Sequence, residues 1–332
     1  MIPCQDLIIL KGARRIFRHQ SEKIILRYWL MAVPVLLLLT ACAAEQKQLQ
    51  KIEVPKACCE ETLPVITKAP DAGSDTAAKI EELKQALIMN GVAGEWLDAQ
   101  IKHESFQLYS NIDQYFQKAA EKQIDHDKKF DASWYFNRLG VDAKIEKGKT
   151  FLQDHLDILK KAEAKHGIHK ELIAAIIGIE TNFADYRQRG SFYAFNALVS
   201  QYIFTNRKNF AVREITALYK FSTQTGRPTQ YFTGSYAGAI GWGQFIPSSL
   251  LAFFIDSNGI SSDIDPFSIE DTIFSVENYL YSNKLDGKNI NDYDSKYKAV
   301  FAYNHSDVYV QAVLYIYDGL RNLTPAGSVL KK

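Results

Sequence analysis

The sequence predicts a mainly α-helical fold with a very small β element. Three observations point there. From Asp75 onward, apolar residues recur at three- and four-residue intervals, the period of a helix face. Glycines stand where those runs stop, as at Gly91 and Gly167. Alternating, strand-like segments are few and short.

The elements follow in chain order. Asp75 caps a helix that carries Ile80, Leu83 and Leu87 on one face and stops near Gly91. Phe151, Leu152, His155, Leu156, Leu159 and Ala162 form a second stripe, ended by Gly167. The run Glu171–Ile179 is almost wholly apolar and reads as a buried helix. Phe210–Phe221, Ser268–Ser282 and Asp307–Leu320 read as further helices. The Gly-, Pro-, Thr- and Ser-containing segment from Thr225 to Tyr236 reads as a loop.

The N-terminal part has another character. Tyr28–Ala41 is a short apolar run preceded by Arg14, Arg15, Arg18, Lys23 and Arg27. A basic stretch before a short apolar core is a secretory signal and too short for a typical membrane span. The run closes in Leu39-Thr40-Ala41-Cys42, so residues 1–41 are expected to be removed. A cysteine directly after small residues resembles a bacterial lipobox, in which Cys42 is acylated and anchors the protein to a membrane. Ala43 and Ala44 follow, neither of them Asp, and by resemblance to other bacterial lipoproteins this favours the outer membrane. Residues 42–75 show no sustained apolar period and read as a tether, leaving 76–325 as the folded catalytic domain. Cys58 and Cys59 are adjacent, which strains a bridge between them. With 47% hydrophobic residues the chain has enough apolar side chains for a sizeable core. The net charge of +1, with Lys and Arg interspersed among Asp and Glu, gives no nucleic-acid footprint.

Three features carry chemistry. Glu180 ends the apolar run Leu172–Ile179. A carboxyl at the edge of such a helix loses water, which disfavours its charged form and raises its pKa, as a general acid requires. The second feature is Gly234-Ser235-Tyr236-Ala237-Gly238-Ala239-Ile240-Gly241-Trp242-Gly243-Gln244-Phe245-Ile246-Pro247-Ser248-Ser249. Its glycines let a ligand approach the backbone, and its hydroxyl, amide and aromatic groups suit a sugar. It contains no phosphate-binding loop pattern. The third feature is Ala302-Tyr303-Asn304.

Glu180-Thr181 after an apolar helix, then the long Gly-rich segment, then Ala302-Tyr303-Asn304 resembles the membrane-bound lytic murein transglycosylase B family, from about Ile80 to Arg321. The resemblance implies a lysozyme-like α+β fold: a helical catalytic core, a flanking helical region and a very small sheet. It implies a lyase that cleaves the bond between N-acetylmuramic acid and N-acetylglucosamine in peptidoglycan and leaves a 1,6-anhydro end. Glu180 would be acid and then base. Ser235, Gln244, Tyr303 and Asn304 would contact the sugars. Tyr135, in Trp134-Tyr135, and Tyr279 match cleft tyrosines. The expected partners are glycan strands and, through Cys42, a membrane; the expected place is the periplasmic face of the outer membrane. No cofactor is expected.

The chain also departs from the family. Asn206-Arg207-Lys208 stands where two adjacent arginines are common, so Arg207 keeps the role and a lysine replaces its neighbour, losing bidentate geometry. The segment from Glu180 to Gly190 is longer than usual. A metal loop present in some members becomes Asp256-Ser257-Asn258-Gly259-Ile260, with Ile260 in place of an oxygen ligand. No strong calcium site is therefore expected, Asp256, Asn258 and Asp271 being the remaining ligands. A hydrolysing muramidase on the same scaffold and a catalytically silent peptidoglycan-binding lipoprotein are the competing readings.

Overall fold

A helix with no polar side has to be enclosed by other elements, and the run from Leu172 to Gly178 organises the molecule for that reason. The computed structural model describes residues 74–118, 132–260 and 263–322, without the side chains of 74 and 132–135. These residues belong to one compact unit, Thr62–Lys332. The expected signal segment, Cys42, Cys58 and Cys59 lie outside the described residues. No helix among the described residues is long and apolar enough to cross a membrane.

The chain opens with α1 (Ser74–Met89) and α2 (Gly94–Lys102). After a helical stretch over 112–118, α3 (Ala132–Leu139), α4 (Val141–Asp154) and α5 (Leu156–His166) lead to α6 (Lys170–Thr181). A 3-10 turn (Tyr186–Gln188) and strand β1 (Phe192–Tyr193) precede α7 (Ala194–Phe204) and α8 (Lys208–Thr225). Strand β2 (Thr233–Gly234) and the Gly-rich segment come next. Then follow α9 (Pro247–Phe253), α10 (Ile269–Ser282), α11 (Tyr293–Tyr303) and α12 (Asp307–Leu320).

Helix α6 packs against α4, α5, α10 and α12. Leu172 to Ile177 are each 0% exposed, so this enclosure is complete at the middle of the helix. A second group forms around α7 and α8, which pack on each other and on α1, while α8 also holds α9. The only sheet among the described residues is the antiparallel pair β1–β2, with Phe192 opposite Gly234 and Tyr193 opposite Thr233. The mainly helical fold with a very small β element is as expected.

Some elements differ from the sequence reading. The single stripe from Phe151 to Ala162 is two helices, because His155 leaves helical geometry at φ −114°, ψ 23°. The period survives across the break, since Phe151, Leu159 and Ala162 are all buried. The predicted loop from Thr225 to Tyr236 contains β2 and a 3-10 turn, Thr229–Tyr231. Helices α7 and α11 carried no signal. In α7 the residues from Ala194 to Ile203 are all buried, so no polar face marks its period.

Helix α9 is fastened by a buried charge. Glu214 of α8 is 0% exposed. It accepts hydrogen bonds from the Ser248 amide (2.8 Å), the Ser248 hydroxyl (3.0 Å) and Arg213 Nε (2.7 Å). A carboxylate at a helix N-terminus meets unpaired N–H groups there and favours the helix dipole.

The exit from α6 is the tightest turn in the fold. Asn182, Phe183 and Ala184 all have positive φ, 51°, 62° and 59°. Each non-glycine residue in that region costs roughly 1–2 kcal/mol, least for Asn. Burial of Phe183, which is 7% exposed, offsets this strain. Its ring lies over Gly178, where an added Cβ would sit 2.5 Å from Phe183 Cζ. Gly178→Ala is therefore expected to lower stability by about 1–3 kcal/mol, as overpacking does. Urea denaturation of the two proteins checks it; equal midpoints would show that the Phe183 turn yields.

Candidate active site

The carboxyl of Glu180 emerges where α6 ends. It is partly exposed, with its Oε1 accepting a hydrogen bond from the Tyr309 hydroxyl of α12 at 2.5 Å. Loss of water pushes its pKa up to about 7, against the smaller lowering effects of the Tyr309 hydrogen bond and the Lys144 charge. Its neighbour Thr181 is buried and donates to the Trp242 carbonyl at 2.8 Å. The helix end is thereby tied to the Gly-rich segment.

That segment is folded back on itself. Gly234 pairs with Ile240, and Ile240 with Phe245. A Cβ at Gly234 would lie 1.7 Å from the Ala239 carbonyl oxygen, which makes glycine obligatory. Ser235 Oγ accepts from the Ala239 amide at 3.2 Å within this turn. Gln244, at φ 50°, gives its amide hydrogens to the carbonyls of Gly241 (2.9 Å) and Arg189 (3.1 Å). It thereby fastens the long loop after α6 to the Gly-rich segment.

Tyr303 ends α11 and donates to the Gly243 carbonyl at 2.6 Å. Burial first, then the Glu180 charge, raises its pKa well above the ordinary phenol value, so it stays a neutral donor. Tyr279 donates to the Ala302 carbonyl at 2.7 Å and packs on Tyr303, ring centroids 4.9 Å apart. Its hydroxyl holds the chain just before the site. Asn304 is the exposed C-cap of α11. The structure thus joins Glu180, Gln244, Tyr303 and Tyr279 through direct contacts or shared segments. The side chain of Tyr135 lies outside the described residues.

Arg207 stands further along, on an open depression of about 540 Å³ lined by Thr205–Phe210. Its guanidinium lies over Phe210 and Phe116, centroids 4.2 and 4.8 Å away, and Nε donates to Gln201 at 3.1 Å. Gln201 in turn donates to the Tyr236 carbonyl at 3.0 Å. Lys208, in place of a second arginine, pairs with Glu82 of α1 at 2.9 Å. Its charge is kept but directed at the protein.

Asp185, five residues after Glu180, is held by an arginine. Arg187 binds it through Nε (3.1 Å) and Nη2 (3.0 Å) and holds its pKa down at about 2. In the loop at 256–260, Asp271 accepts the amides of Ser257 and Asp265, and Asn258 Oδ1 accepts the amide of Ile260. Asp256 Oδ2 is buried without a partner.

Tyr309 and Lys144 are site residues that the motifs did not flag. Both had a signal: Tyr309 lies between Val308 and Val310 on the buried face of α12, and Lys144 interrupts the face of Val141, Gly148 and Phe151.

The position of Glu180 has a consequence for folding. The folded protein holds the Glu180 proton more tightly than the unfolded chain, whose carboxyl titrates at about 4.3. The penalty of ionising it is absent below that pH and grows as pH rises through about 7. Glu180→Gln is expected to match its parent in stability at pH 4 and exceed it by about 1–3 kcal/mol at pH 8, after solvent screening. Urea denaturation at both pH values checks this, and an advantage independent of pH would sink it.

Comparison with known proteins shows the family and the fold. Membrane-bound lytic murein transglycosylase B of Escherichia coli (strain K12) is 29% identical over 137 residues, 41% of this chain and 37% of that protein's length. SltB3 from Pseudomonas aeruginosa in complex with NAG-anhNAM-pentapeptide superposes with a TM-score of 0.62 at 17% identity, over 76% of this chain and 82% of that one. SltB1 from the same organism gives 0.60 at 21% identity, over 74% and 98%. The E. coli lytic transglycosylase Slt35 in complex with calcium gives 0.61 at 17%, over 80% and 99%. At these identities the structural likeness is one of fold, the lysozyme-like fold of lytic transglycosylases. The profile of the transglycosylase SLT domain matches residues 75–289, and the chain belongs to that family.

Proposed function

We propose that this protein is a lytic transglycosylase that cleaves peptidoglycan glycan strands between N-acetylmuramic acid and N-acetylglucosamine, with Glu180 as its single acid and base. The observation that carries the reading is a lone carboxyl with a pKa near 7. Hydrolysing glycosidases use two carboxylates across the bond. Here no carboxylate is among the groups acting on Glu180, and Asp185 is neutralised by Arg187. A transglycosylase does without the second one because the substrate supplies the nucleophile.

In this reaction Glu180 gives its proton to the glycosidic oxygen, and the bond to C1 of the muramic acid breaks. The acetamido oxygen of that sugar stabilises the positive charge at C1. The C6 hydroxyl then closes onto C1 as Glu180 takes its proton, which gives the 1,6-anhydro ring and restores the acid. Tyr309 steadies the carboxylate between the two steps, and Ser235, Gln244 Oε1, Tyr303 and Asn304 orient the sugars. By resemblance, Tyr135 and Tyr279 are assigned to sugar binding as well. Arg207, without a paired arginine, meets a carboxylate of the peptide stem. The 1,6-anhydro sugar bound by SltB3 supports this outcome.

We also propose that Cys42 carries the lipid and that the enzyme faces the periplasm from the outer membrane. The lipobox-like Leu39-Thr40-Ala41-Cys42 supports this, as does the membrane-bound relative.

Incubation of the purified protein with sacculi is expected to release anhydro-muropeptides, identified by mass spectrometry. Glu180→Gln should slow release by roughly 10²–10⁴-fold. The rate should fall as pH rises through about 7, where the acid loses its proton. Reducing-end products would move the protein to the hydrolases, and binding without release would make it a silent binder.

A further inference from the structure

Lysine is rarely buried without a partner, yet Lys144 occupies the inward face of α4 between Val141 and Gly148, which are both buried. Its ammonium donates to the Gly178 carbonyl at 2.7 Å and to Asn182 Oδ1 at 3.2 Å. Those two residues flank Glu180, two before it and two after. Gly178 belongs to the last turn of α6, the negative end of the helix dipole, which favours a cation; its carbonyl also accepts the Asn182 amide at 3.1 Å, so the ammonium takes its second lone pair. Asn182 opens the left-handed run that turns the chain away. Lys144 therefore closes the helix end from outside, bridging the turn on which the acid is mounted.

We propose that Lys144 is a positioning residue of the reaction: it clamps the C-terminal turn of α6 and supplies the cation that stabilises Glu180 as a carboxylate. The proposal rests on the reading of Glu180 as acid and base. Glu180 must lose its proton in the first step and hold a negative charge until the second. Tyr309 approaches that charge from α12, Lys144 acts on it from α4, and Tyr303 of α11 lies within its field. The other charged groups that act on Lys144 are Lys147, on its own helix, and Asp185, beyond the left-handed run. Lys147 and Arg187 both pair with Asp185, which leaves Lys144 directed at the helix end. Burial lowers the Lys144 pKa to about 8, so it is still charged where Glu180 titrates.

The sign follows directly. A cation favours the carboxylate, so removing it weakens the acid and raises its pKa. Lys144→Gln keeps an N–H donor and drops the charge; Lys144→Arg keeps both. The full-length parent and both variants are titrated by ¹³C NMR of the Glu180 carboxyl, assigned by its absence in Glu180→Gln, and the pH profile of anhydro-muropeptide release is measured beside it. The expected result is an upward shift of about one pH unit in the Lys144→Gln titration and in the alkaline limb of its profile. Its rate at pH 6 should fall several-fold, and Lys144→Arg should restore both the limb and most of the rate. A merely structural lysine would lower thermal stability and rate but leave the titration and the limb in place, and that result would overturn the proposal. A parent that releases no anhydro product would count against the proposed function instead, while the NMR titration would still decide whether Lys144 acts on Glu180.

Discussion

The carboxyl of Glu180 depends on the enclosure of the helix that carries it. Four helices surround α6, and the water they exclude is what raises the proton affinity at its end. An acid in the open would be ionised near neutrality and unable to donate. The same exclusion makes the helix end a difficult place to leave. The chain departs through three successive left-handed residues, held by the buried Phe183 ring and the Lys144 ammonium. Strain of this kind persists where surrounding packing over-determines it. Here the packing is a phenylalanine seated on glycines of two helices, Gly148 and Gly178.

The Gly-rich segment meets this helix end through backbone atoms. Thr181 reaches the carbonyl of Trp242, Tyr303 that of Gly243, and Gln244 that of Arg189. In each case a side chain bonds to main chain across the gap, two of them reaching the Gly-rich segment and one leaving it. Pairing of Gly234 with Ile240 and of Ile240 with Phe245 makes that segment a compact folded ribbon. Its far end is secured by Glu214 on the first turn of α9. A wall built this way presents few movable side chains of its own, so its shape is set before any sugar arrives.

Much of this was legible in the sequence because it was written in local patterns. The apolar run before Glu180 announced the buried helix and the raised pKa of the carboxyl at its end. Two kinds of feature were not legible. Helix α7 is buried along nearly its whole length and has no amphipathic period to detect. Partners distant in the chain, such as Tyr309 with Glu180 or Glu214 with Ser248, are joined only by the tertiary fold. The pairing of Lys208 with Glu82 is of the same kind, since nothing local indicates that α1 takes up its charge. Gln244 is similar: the motif identified the residue, and only the structure shows that its N–H groups already have partners.

The burial of α6 also bears on where the fold can open. Backbone amides open to solvent either by local fluctuation or by unfolding of the whole domain. Ile173 to Ile177 are fully covered and packed on four neighbours. Their amide hydrogens are expected to exchange only through the largest openings of the domain. Residues at the rim, such as Tyr186, 64% exposed on the loop after Asp185, exchange far sooner. Large motion is therefore expected at the rim, with Glu180 mounted at the end of the enclosed helix.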